Sequence, residues 1–395
     1  MCGGPTYGPA PTFGHLYMNR MKKHLVLGLL VVASLGCSTE LDVFAPYKEI
    51  PIVYATLSIS KDGRPATDPC NGTQFEPETT HYVKINRAFQ GDGNALAYAA
   101  IPDSNEYNDD QLVDARVERW LNGSLVQTYL LRDTTIPDRL PGTFHYPDQK
   151  VYYFNTFPPD KLDENSEYRF AAMIKGIEVS ATTPIVNNFA VSSNVQSGTF
   201  RPRFHNGTAY QDYELVWTSA PDGRRYEAYY TFYYNELRNG VGEMKQFTKK
   251  IGSVVTTNTA GNEELTVAVV GEDFYRTVRD NVPVDGGVER REFLGIRFHW
   301  AVASDDFHTF LQLNEPITGI VEDRPDFTNV TNGYGMFVSR YFEWGPGSSS
   351  NIVPGCEYRL LHDNSLEELA FGQYTGGLGF CSNYTVSDGT PYECP

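Results

Sequence analysis

Beyond one N-terminal stretch, the sequence has no apolar run approaching the ~20 residues that a membrane-spanning helix needs, so no helical bundle in a bilayer is expected. Basic residues are in the minority: 32 Lys and Arg stand against 49 Asp and Glu, a formal net charge of −17. A nucleic-acid partner would require a basic surface, and none is expected. No Gly-x-Ser-x-Gly elbow, P-loop or His-Glu-x-x-His helix occurs, so the chemistries those spacings serve have no starting point in this chain. Cysteine is rare, with six in 395 residues. No Cys-x-x-Cys pair occurs and no His lies at ligand spacing from a Cys, so neither a metal site nor a cofactor is expected. Met and Trp are scarce (6 and 4), whereas Tyr and Phe are abundant (26 and 23). Aromatic enrichment with frequent Gly, Pro, Asn and Asp punctuation favours β structure.

The exceptional stretch is Met21–Asp42. Lys22 and Lys23 form a cationic head, Leu25–Gly36 an apolar core too short to span a bilayer, and Gly36 stands directly before Cys37. This order resembles a bacterial lipoprotein signal; the box reads Ser34-Leu35-Gly36-Cys37, departing from the commonest pattern at its first position. The resemblance implies cleavage before Cys37, acylation of that cysteine and a lipid anchor in the membrane. Residues 1–20 read as an over-called start or a removed leader, 21–36 as the signal peptide and 37–49 as a tether. Glu40 and Asp42, just behind the cysteine, resemble the surface-export signal of Bacteroidota lipoproteins, which implies an outer-membrane, surface-exposed location, with the periplasmic face as the alternative. Residues 1–36 hold three basic residues and no acids, so the remainder carries about −20 at neutral pH.

From Ile50 the chain alternates in period two. Ile52, Tyr54 and Thr56 oppose Val53, Ala55 and Leu57, and Tyr82, Lys84 and Asn86 oppose Val83, Ile85 and Arg87. Gly91–Gln111 reads as a long polar loop with one helical turn at Ala95–Ala100. An Asn122-Gly123 turn joins two strand-like runs as a hairpin. About seven strands over ~140 residues, with turns at regular spacing, indicate a β-sandwich. Leu162 stands six residues before Tyr168, and the segment resembles the E–F corner of immunoglobulin and fibronectin type III domains, in which the Tyr hydroxyl ties the corner to nearby backbone.

Thr183–Pro202 has no clear period and reads as a domain boundary. Beyond it come further strands, among them the aromatic run Tyr226–Tyr234. Tyr226, Tyr229, Tyr230, Tyr233 and Tyr234 in that run are the expected candidate binding surface, together with the Gly91–Gln111 loop. Glu272–Asp280 and Asp305–Asn314 read as short helices. The expected fold is thus mainly β: an Ig/FN3-like β-sandwich over 50–186, a second β-rich domain with one or two short helices over 187–344, and a Gly/Ser- and Cys-containing tail over 345–395. Excluding Cys2 and Cys37, four cysteines remain, with three possible connectivities. Cys356–Cys381 is the first expectation because three of the four fall near the C terminus, leaving Cys70–Cys394 to tie the tail to the first domain.

Signal, acylated cysteine, Ig-like first domain and a segment containing Asn329, Asn332, Gly333, Gly335 and Phe337 together resemble a family of Bacteroidota envelope lipoproteins of unknown function, over roughly Cys37–Phe342. The resemblance implies an envelope location and carries no assigned chemistry. Other candidates read as structural. Asp305-Asp306-x-His308 fits a helix N-cap better than a metal site. Asp103, Glu106, Asp109 and Asp110 lack the spacing of a calcium loop. Asp133-Thr134-Thr135 resembles a short O-glycosylation acceptor. His81, His145, His205, His299 and His362 are scattered. The favoured expectation is a non-catalytic binding or interaction module for an envelope protein or extracellular ligand. An envelope hydrolase on glycan or peptide and an accessory subunit of a secretion or gliding complex are the alternatives.

Overall fold

The computed structural model describes residues 50–60, 80–88, 94–137, 139–156, 161–192, 201–315, 326–344, 360–383 and 392–395. The signal, Cys37, Cys70 and Cys356 lie outside them.

The first half contributes β1 (Pro51–Ser60), β2 (Thr80–Arg87), two helical turns α1 (Ala95–Ala99) and α2 (Pro102–Asn105), then β3 (Leu112–Leu121), β4 (Ser124–Leu130), β5 (Arg132–Ile136), β6 (Gln149–Asn155), β7 (Glu167–Ile174) and β8 (Ile177–Pro184). Alternation decides which face each strand buries. Val53, Ala55, Leu57 and Ile59 of β1 and Val83 and Ile85 of β2 are buried, and their neighbours in sequence point the other way. One sheet runs β1-β2-β6-β5 and faces a second, β8-β7-β3-β4. This is the strand order of an Ig/FN3-like sandwich. Asn122-Gly123 and Lys175-Gly176 both carry positive φ at two successive residues, as tight hairpin turns require. Leu162 and Tyr168 are buried, and the Tyr168 hydroxyl accepts from the Asp163 N–H at 3.0 Å, closing the corner before β7.

The second half supplies β9 (Tyr213–Thr218), β10 (Arg225–Arg238), β11 (Val241–Val255), β12 (Glu264–Val269), α3 (Gly271–Asn281), β13 (Arg290–Ala303), α4 (Asp305–Asn314), β14 (Val330–Thr331), β15 (Tyr334–Trp344), α5 (Asp363–Phe371) and β16 (Phe380–Cys381). β10 is flanked by β11 and β13 along most of its length. This corrects the expected binding surface: Tyr226, Tyr230, Tyr233 and Tyr234 are buried and Tyr229 is half-buried. The reason is position. A central strand has neighbours on both edges, and Tyr230 and Phe232 pack on Phe274 of α3, while Phe232 and Tyr234 pack on Phe380 of β16. Tyr229 lies flat on His299 at 5.3 Å and donates to Glu227.

The sheets do not stop at the expected boundary near residue 186. β15 pairs antiparallel with β13 and parallel with β1, so one nine-stranded sheet runs β11-β10-β13-β15-β1-β2-β6-β5, with β16 beside β13. Likewise β14 extends the opposing sheet by pairing with β8. Residues Glu49–Pro395 cluster as one compact unit. The Asn-rich segment serves this crossing. Asn329 Oδ1 accepts from the Phe337 N–H and Asn329 Nδ2 donates to the Phe337 carbonyl, both at 2.9 Å. Asn332, in the left-handed region at φ 57°, donates to the Glu178 carbonyl of β8. Gly335 has φ 112°, and a Cβ there would lie 2.0 Å from the Val53 carbonyl oxygen. Phe337 is buried 6.1 Å from Phe170 of the first sandwich.

The disulfide expectation is corrected as well. Cys381 and Cys394 are bonded, with Cα atoms 4.9 Å apart. The Ser382 N–H donates to the Tyr392 carbonyl at 2.8 Å, which brings the last residues alongside β16 and closes a loop of only 13 residues.

Candidate functional site

The outer face of the first sheet is built from the residues that alternation turns away from the core. Ile52 and Tyr54 of β1 stand directly across from Asn86 and Lys84 of β2. Such cross-strand pairs hold their Cβ atoms ~5 Å apart. Over this face the chain folds a cover in two parts, partly roofing an open cavity of about 510 Å³. That volume lies within the ~300–1,000 Å³ of small-ligand pockets.

The first part of the cover is α1–α2. Asn94 caps α1 by accepting from the Leu96 N–H, and Pro102 occupies the first turn of α2, where a missing N–H costs nothing. The buried Asn105 amide then donates to the carbonyls of Tyr98, Ala99 and Ile101 at 3.3, 3.0 and 2.9 Å, fastening the two turns together. β2 holds them down: Asn86 Nδ2 donates to the Asn105 carbonyl at 3.0 Å, and Arg87 donates to the carbonyls of Ser104 and Asp103. The second part is the segment before β6. Its His145 N–H donates to the Ala99 carbonyl, tying it to α1. Arg139 donates to the His145 carbonyl at 3.3 Å and lies 5.6 Å from the Phe144 ring.

The lining is apolar in its body and cationic at its polar positions. Lys84, Arg87, Arg139 and Lys150, with His145, face Glu106 and Asp148. Three of the cations have hydrogen-bond partners, Arg139 through the His145 carbonyl. Arg87 is held by backbone carbonyls, and Lys150 reaches Asp109 at 3.3 Å and the Tyr107 carbonyl at 3.4 Å. Lys84 and Arg139 form no ion pair with any described residue. Burial, and then the Arg139 charge, hold the Lys84 ammonium below the usual lysine range, with Glu106 opposing. Asn86 Oδ1 is buried without a hydrogen-bond partner.

Of the residues singled out in the sequence, the described part of the Gly91–Gln111 loop reaches this cavity, through Pro102, Asn105 and Glu106. His145 lines it as well, and the others lie elsewhere. Asp305 and Asp306 begin α4; Asp305 pairs with Arg224 at 3.1 Å, and Asp306 accepts from Asn329 at 2.7 Å. Asp133-Thr134-Thr135 lies within β5, and His362 caps α5. Among the described residues, no three His, Cys, Asp or Glu side chains group to hold a metal ion. Tyr54, Lys84 and Asn86 were legible as lying opposite the Val53 and Val83 faces of their strands; Arg139, Phe144 and His145 come from a coil segment with no periodic signal.

No protein-family model matches the chain, and no curated protein matches it. Among solved structures, a partial likeness is to the C-terminal globular domain of an oligosaccharyltransferase from Pyrococcus abyssi, at 13% identity and a TM-score of 0.21. It covers 47% of this chain and 45% of that one, so the chain spans less than half of the structure it resembles. No helix among the described residues is long and apolar enough to cross a membrane.

Proposed function

We propose that the chain is a non-catalytic binding module of the bacterial envelope, lipid-anchored through Cys37 at the outer membrane and exposed at the cell surface, and that it takes a small ligand in the cavity over β1, β2 and β6. The cavity is the observation that carries the binding half of this reading. It is partly roofed by a cover that the chain builds and fastens with Asn105, and it is lined by apolar surface with a few convergent polar groups, as ligand sites are. The anchor half rests on Lys22, Lys23, the Leu25–Gly36 core and Cys37.

Each half has its own test. Cells expressing the chain with and without Cys37→Ala are fractionated, and intact cells are shaved with protease. The reading expects a membrane-bound, shaved wild type and a released variant; equal solubility of both removes the anchor. For the cavity, ligand-observed NMR is run with a set of neutral and charged small molecules. At least one binder is expected, lost when Gln149→Trp fills the space. Binding that survives the filling, or no binder at all, removes the cavity reading.

A further inference from the structure

Lys84 and Arg139 are the unusual feature of the cavity. Several arginines elsewhere pair with carboxylates: Arg116 with Glu118 at 2.7 Å, Arg225 with Glu315 at 2.6 Å and Arg238 with Asp285 at 2.6 Å. Lys84 belongs to the β2 floor and Arg139 to the cover, and although Glu106 and Asp148 share the lining, neither cation forms an ion pair with a described residue. Two like charges in a half-buried site repel, and each is shielded from water that would otherwise relieve the repulsion.

We propose that the cavity binds a hydroxylated organic anion, with its carboxylate or phosphate head between Lys84 and Arg139; this rests on reading the cavity as the ligand site. Each group has a matching part. Arg139 offers a planar fork for two oxygens of the head, and Lys84 a compact charge beside it. Asn86 Oδ1, buried and unpartnered, accepts a hydrogen bond from an O–H on the ligand body. Ile52, Tyr54 and Phe144 supply apolar surface for a ring or chain; Tyr54 and Phe144 are 41% and 47% exposed, so a ligand has area left to cover. A sugar acid has all three parts: an anionic head, hydroxyls and a ring with an apolar face. The lowered affinity of Lys84 for its proton has the sign expected of a cation awaiting an anion.

Isothermal titration of the full chain with glucuronate, glucose and inorganic phosphate tests this. Glucuronate is expected to bind at least tenfold more tightly than glucose, and raising the salt concentration is expected to weaken it. Lys84→Met and Arg139→Gln are each expected to weaken glucuronate about tenfold or more, as loss of one charge-assisted contact implies, while circular dichroism and the melting temperature stay at wild-type values. Phosphate binding more tightly than glucuronate assigns a phosphate head, and the reverse a carboxylate; both support the anion site. Equal affinity for glucose and glucuronate overturns the proposal, as does an unchanged glucuronate affinity in both variants. If the NMR set gives neutral binders that Gln149→Trp displaces while neither anion binds, the cavity stands as a site and the anion inference alone falls.

Discussion

His81 is a buried, neutral histidine on the inner side of β2. Its ring lies 4.9 Å from Phe154, and Nε2 sits 3.2 Å from the Thr156 hydroxyl. Burial lowers its pKa from 6.5 to about 4. Between those values the unfolded chain binds the proton and the folded chain does not, so stability falls as pH drops from 6.5 towards 4 and is whole above 6.5. The contribution at stake is about 3 kcal/mol. Urea titrations at pH 7.5 and pH 5, which span part of that window, are expected to show a loss of about 2 kcal/mol in wild type and a smaller one in His81→Leu; identical pH slopes would refute the assignment. A second residue-scale device occurs twice. The Tyr226 hydroxyl accepts from the buried Ala220 N–H at 2.6 Å, repeating in the second half the tie that Tyr168 makes in the first. Tyr226→Phe and Tyr168→Phe each leave a backbone donor unpaired and are expected to cost ~1–2 kcal/mol in denaturant melts. Only the first of these corners was legible in the sequence, because Leu162 marked it; Tyr226 lies in a run so rich in tyrosine that no single one stood out.

Strands and turns were largely legible, because alternation and Asn-Gly or Lys-Gly pairs report directly on local geometry. The hairpin at Asn122-Gly123 and the two faces of β2 could be read from spacing alone. What spacing does not report is lateral order within a sheet. The tyrosines of β10 have the composition of a sticky surface, and only the presence of β11 and β13 on its two edges makes them core. The cavity was half legible for a related reason: its floor is periodic, and its cover is coil. That cover is a small element with its own cohesion. Asn105→Ala removes three side-chain hydrogen bonds at once. Hydrogen exchange in 94–105 is expected to rise at least tenfold while exchange in β7 and β10 stays at wild-type levels; uniform acceleration would mean that the cover is not a separable unit.

At the scale of the molecule, two sandwich-like halves share one sheet and one contiguous apolar core that runs from Val53 to Phe380. The boundary segment is itself bound to the later half: the Val186 N–H donates to Ser339 Oγ at 3.3 Å, and Asn188 accepts from the Tyr341 hydroxyl at 3.0 Å. The joint is where β15 meets β1, and Gly335 is its tightest point. Gly335→Ala forces both a disfavoured backbone conformation and a clash with Val53, and is expected to cost more than ~2 kcal/mol. Thermal melts should show it as a lowered single transition; two separate transitions would mean that the halves unfold independently. The same joint has a consequence in time. Ile52 is paired with Tyr334, so β1, made early, has its partner on a strand made far later. Until some 280 further residues have been made, one edge of β1 stays open. A nascent chain in that condition folds slowly and is prone to stray pairing, and it benefits from being held unfolded until it is complete.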